Sequence, residues 1–183
     1  AGLYLARLAK GSQGLGRFAA PALVTSVAMH VVFLGVDHVS SEVAMRDIHR
    51  TLTVLSLGVM VTFLIASRRK PALEILGAFL APVTLLFFLG SGLGRPVSEV
   101  SPTVRSAPLP VHVGASVLGI VAFALAFAAA LAYVLQERML PKKKLGRLFH
   151  RPPPPDVLHA LGFRSVTVAL PLPTNAIAPG PVW

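Results

Sequence analysis

Cysteine is absent from the 183 residues. That removes disulfides, thiolate metal sites, iron–sulfur clusters and CxxCH-type haem attachment. Charge is scarce as well. Charged residues make up 13% of the chain against 54% hydrophobic, where a soluble domain carries about 25% charged residues. Only seven residues are acidic, and none lies deep in an apolar run, so an ion-coupled carrier or proton relay lacks its intramembrane carboxylate. No hydrolase or nucleotide motif occurs. "GSQGLG" at Gly11 to Gly16 has no lysine where a phosphate loop needs one, and reads as a turn.

What remains is long apolar sequence, with a mean hydropathy of +0.72. The continuous runs exclude an alternating β-barrel pattern. They predict an all-α, polytopic transmembrane helix bundle forming a single integral membrane domain over residues 1–183. Five spans are expected, about 18–36, 49–67, 71–92, 111–136 and 161–183. Nineteen residues of helix reach about 29 Å, close to a hydrocarbon core of about 30 Å. The chain opens inside an apolar stretch, "AGLYLARLAK", without an initiator Met, and is expected to keep only part of a first span. The fifth stretch carries Pro171, Pro173, Pro179 and Pro181. Each removes a backbone donor, so a kinked span, a re-entrant piece and an irregular end are all compatible with it.

The net charge of +10 comes from basic residues grouped between the apolar runs, the pattern of topology signals rather than of nucleic-acid binding. Alternate loops divide them unequally. Thirteen fall on one side: Arg7, Lys10 and Arg17, then Arg68, Arg69 and Lys70, then the series from Arg138 to Arg164. Only Arg46, Arg50, Arg95 and Arg105 fall on the other. The positive-inside rule puts the basic side in the cytoplasm. The linker 139–156, "MLPKKKLGRLFHRPPPPD", joins a basic run to a polyproline II spacer. "FLGSGLG" contains a Gly90–Gly94 small-xxx-small pair, but reads more plainly as a helix stop before Arg95-Pro96.

Orientation sorts the six histidines. His150 and His159 fall in the cytoplasmic linker region, whereas His30, His38, His49 and His112 belong to the outer half. His30 lies seven residues before Asp37, about 10 Å inside the outer boundary, where a polar ring is costly. Neutral imidazole coordinates haem iron or a transition metal from apolar surroundings, and two rings on facing helices can clamp a porphyrin. For a lone histidine at a span end an interhelical contact or interfacial anchoring is the plainer reading, whereas His30, placed inside a span, is better evidence of a site.

The fourth run is the most specific. "SPTVRSAPLPVHVGASVLGIVAFALAFAAALAYVLQERMLPKKK" carries His112-Val113, Ser116, Leu118-Gly119, Phe123 and the exit Tyr133 to Arg138. Together with "LEILGAFLAPVTLLFFLGSGL" before it and "LHALGFRSVTVALPLPTNAIAPGPVW" after it, it resembles the cytochrome c assembly protein family, which includes the CcsA/ResC and HemX-like membrane proteins. The resemblance is specific over about Leu73 to Trp183. The family's tryptophan-rich "WGxYWxWD" motif is not found; the single Trp is Trp183, as expected for a truncated chain or a divergent branch.

The resemblance implies a haem-handling protein of the bacterial inner membrane that holds or passes haem at the outer face, without enzymatic activity of its own. His112 is then an axial ligand to haem iron, His30 the candidate second ligand, and His49 and His38 weaker candidates. Implied partners are the lipid bilayer and other cytochrome c assembly proteins, not nucleic acid. The alternative is a structural transmembrane subunit of a larger membrane complex. A small transporter lacks supporting charges.

Overall fold

The computed structural model describes residues 1–10, 13–40, 48–92, 109–139 and 153–177. Its elements are α1 (Gly2–Lys10), α2 (Gln13–Ser40), α3 (Ile48–Arg69), a 3-10 turn (Pro71–Leu76), α4 (Gly77–Gly92), α5 (Leu109–Met139), α6 (Pro155–Ala169) and α7 (Pro171–Ile177). Among the described residues there is no strand. The protein is an all-α membrane bundle. Four stretches are long and apolar enough to cross a bilayer: Phe18–Val36, His49–Arg69, Pro71–Gly92 and Val111–Met139.

α3 and α5 hold the centre. α3 forms an antiparallel hairpin with α4, tied by the Ser56 hydroxyl donating to the Thr84 carbonyl at 3.0 Å. Being separated by the single span α4, α3 and α5 run parallel. They meet where a Cβ on Gly58 would lie only 2.8 Å from Val121 Cγ2. The remaining core face of α5 is mostly alanine: Ala124, Ala128, Ala129 and Ala132 are all buried. Lipid tails are as apolar as a leucine side chain, so helices in a bilayer gain more from close backbone approach over small residues than from bulk.

α1 is pinned by one side chain. Tyr4 is buried, stacks edge-on with Phe63 of α3 at 5.5 Å, and donates to the Ala19 carbonyl of α2 at 3.4 Å. Tyr4 and Phe63 both close over Gly77, where a Cβ would come within 2.5 Å of the Tyr4 ring. α2 packs against α1 and α3, while Met29, Val32, Phe33 and Val36 face outward. In a bilayer such faces meet lipid.

The last stretch differs from the expected 161–183 span. The helix starts earlier, at Pro155, with Pro154 in an extended polyproline-like conformation (φ −53°, ψ 140°). A proline at the first helical position loses no hydrogen bond, and Asp156 in the first turn complements the helix dipole. The helix breaks at Leu170 because Pro171 has no N–H for the preceding turn. Leu170 keeps a helical conformation, and its N–H reaches the Val166 carbonyl at 2.9 Å. The chain therefore continues as a proline-interrupted helix to Ile177, and residues 178–183 lie outside the described part. The early start also moves His159 out of the linker and onto α6, against Tyr133 at 6.4 Å.

Candidate functional site

His30 occupies the inward face of α2, between the exposed Met29 and Val31. It is 7% exposed. Its ring packs edge-on against Phe88 of α4 at 5.0 Å, and Phe33 meets the same phenyl ring at 6.3 Å. On the α3 side its polar neighbour is the backbone of Thr53. Its Nε2 is buried with no hydrogen-bond partner among the described residues. Most buried polar atoms are paired, so an unpaired one in a membrane interior calls for a reason.

His49 opens α3 and is half-buried. Its Nδ1 lies 2.8 Å from the Ser91 carbonyl at the end of α4. A carbonyl only accepts, so Nδ1 carries the hydrogen and the lone pair of the neutral ring sits on Nε2. A backbone carbonyl fixes the tautomer of metal-binding histidines in the same way. The Thr53 hydroxyl donates to the His49 carbonyl at 2.9 Å. His49 and the Thr53 neighbour of His30 thus lie one turn apart on α3.

His112 is exposed in the first turns of α5, just after Pro110. His49 precedes Gly58, and His112 precedes Val121, by the same nine residues. The two rings therefore lie at one height, about 14 Å beyond that contact. They do not share a face. His112 lies one heptad before Gly119, on the side of α5 that meets α6 and α7, while His30 and His49 line the α2–α3–α4 corner. His38 lies on α2 with its side chain outside the described residues, as is the whole of His150.

Among the described residues no cluster of three or more His, Cys, Asp or Glu is arranged to hold a metal ion. Haem asks for less, because the macrocycle supplies four nitrogens and the protein one or two. The imidazoles present fit that demand: His30 has an orphaned buried nitrogen, His49 a tautomer set by a carbonyl, and His112 an exposed ring. A cavity of about 80 Å³ between α1, α2, α3 and α4, lined by Tyr4, Leu23, Ser26 and Thr84, is far too small for a macrocycle.

The region bearing His49 and His112 decides the family. Residues 45–183 match the family described as Cytochrome C assembly protein. The chain belongs to the cytochrome c assembly protein family. No curated protein and no solved structure matches it significantly. Membership in the cytochrome c assembly family covers His49 and His112, whereas His30 lies before the matched residues. A role in cytochrome c biogenesis follows from it.

Two features of this cytochrome c assembly protein were not singled out from sequence. Ser91 orients His49 through its main chain, and no side-chain type signals that. Gln136 is 2% exposed, with Nε2 unpaired among the described residues. It stands about 36 Å along α5 from His112 and belongs to the other end of the bundle.

Proposed function

We propose that the protein handles haem for cytochrome c assembly in the manner of the HemX-like branch, holding or passing it at the outer face of a bacterial inner membrane. The observation that carries this reading is the gathering of His30, His49 and His112 at one end of the bundle, with the His30 Nε2 buried and without a hydrogen-bond partner among the described residues. The asymmetry of basic loops supports an outward position for that end.

Haem, as cargo, brings an iron whose axial positions accept imidazole nitrogen. His112 offers an exposed nitrogen at the membrane surface and acts as the outer ligand. His30 offers a desolvated one within the bundle, with His49 beside it on α3. An open and a buried imidazole station at one end suit transfer as well as storage, and none of the three residues needs to form a covalent bond with a substrate.

The test is a reduced-minus-oxidised visible spectrum of the purified protein in mild detergent after haem loading, repeated for His112→Ala, His30→Ala and His49→Ala. Histidine ligation gives sharp bands that weaken in the variant that loses a ligand. A featureless spectrum sinks the haem reading and favours a structural subunit. Bands that survive His112→Ala leave a haem site and reject His112 as its ligand.

A further inference from the structure

Gly119 is buried in α5 where α6 breaks. A Cβ there would lie 2.6 Å from Cδ and 3.2 Å from Cγ of Pro173, and 3.3 Å from the Ala169 carbonyl oxygen. Real side chains do not tolerate the first distance. Pro173 is also the residue whose N–H would otherwise serve that carbonyl, four residues back, and proline has none. The notch at Gly119 thus receives both the ring of Pro173 and the Ala169 carbonyl that Pro173 cannot serve, and the glycine Cα–H is a weak donor suited to such a carbonyl at a helix interface.

His112, Ser116 and Gly119 follow one another along a single stripe of α5, passing from exposed through half-buried to buried. The Gly119–Pro173 contact closes that stripe two turns below His112. We infer that Gly119 is a positioning residue: by admitting Pro173 it sets how closely α7 approaches the His112 face, and so fences the membrane side of whatever His112 binds. This rests on the reading of His112 as a haem ligand.

The chain has no cysteine, so Ser116→Cys is a lone reporter on the stripe. Its labelling by a water-soluble maleimide should become several-fold faster when Gly119→Leu is added, with a smaller effect for Gly119→Ala. Adding Pro173→Ala to Gly119→Ala, which removes the ring atoms that clash, should bring the rate back toward that of the parent. A disulfide between Ala129→Cys and Gly162→Cys, made in the chain without the reporter, should still form with Gly119→Leu and so show that α5 and α6 remain packed. In the haem-loaded protein with Ser116 intact, Gly119→Leu should shift or weaken the bands assigned to His112, and the Pro173→Ala double variant should recover them.

An unchanged labelling rate overturns the contact as a determinant of α7 position. Faster labelling with unaltered bands overturns the positioning role and leaves only packing. A parent protein without bands overturns the haem reading and this role together, whereas bands in the parent that ignore Gly119 overturn this role alone.

Discussion

His49 of α3 and Ser91 of α4 are joined through an imidazole Nδ1–H and a main-chain carbonyl, 2.8 Å apart, at the end of the hairpin that also carries His30 against Phe88. The bond does two things at once. It closes the mouth of the hairpin, and it fixes which nitrogen of His49 keeps its lone pair.

The side chain of Ser91 takes no part in that bond. Ser91→Ala should therefore leave thermal stability and haem binding nearly unchanged. His49→Ala removes the Nδ1–H that lies 2.8 Å from the carbonyl and should lower stability by about 1 kcal/mol. Thermal unfolding of both variants in the same detergent checks this, and equal losses would count against the bond.

His30 behaves differently, because its Nε2 has no hydrogen-bond partner among the described residues. An unpaired buried polar atom costs about 1–3 kcal/mol, and an apolar group of similar shape does not incur that cost. His30→Phe is expected to unfold at a higher temperature than the parent while losing any haem bands that depend on His30. A drop in stability would show that the ring is a structural contact.

The α5–α6 packing can be read chemically. An ideal Cβ on Gly162 lies 3.8 Å from the Ala129 Cβ, within the range of about 3.5–4.5 Å that a disulfide spans. The pair Ala129→Cys and Gly162→Cys should cross-link under mild oxidation, and with no native cysteine the shift on a non-reducing gel has one source. Absence of the cross-link would reject the register of these helices.

At the α3–α5 contact, Gly58→Ala should destabilise by about 1–3 kcal/mol through crowding of Val121. Trimming the neighbour with Val121→Ala should relieve much of that loss. A double-mutant cycle in unfolding free energy measures the coupling, and simple additivity would place the two residues out of contact.

The spans were legible because hydrocarbon solubility is a property of composition summed along a window, which needs no knowledge of neighbours. His30 was legible for the same reason, as a polar ring inside an apolar run. The interhelical register was not. The Gly90–Gly94 pair read more plainly as a helix stop than as a contact; a Cβ on Gly90 would meet Leu52 at an ordinary 3.6 Å, and Gly94 lies outside the described residues. Gly58 and Gly119, which were not singled out for a close helix contact, hold much tighter approaches. Which glycine faces a backbone depends on helix rotation, and sequence periodicity does not encode it when nearly every residue is apolar. Of the readings left open for the proline-bearing stretch, a break before Pro171 is what the described residues show, and Pro179 and Pro181 lie outside them. The start at Pro155 was missed because four consecutive prolines read as a spacer, although the fourth serves as a helix start.

A pivot at the Gly58–Val121 contact would make levers of α3 and α5. His49 stands on one arm and His112 on the other, each about 14 Å from the pivot. A relative tilt of about five degrees between α3 and α5 therefore changes the separation of the two rings by about 1 Å over an arm of that length. With such a pivot, a load on the far ends of these helices, near Arg69 and Met139, would change the spacing of the imidazoles at the near ends.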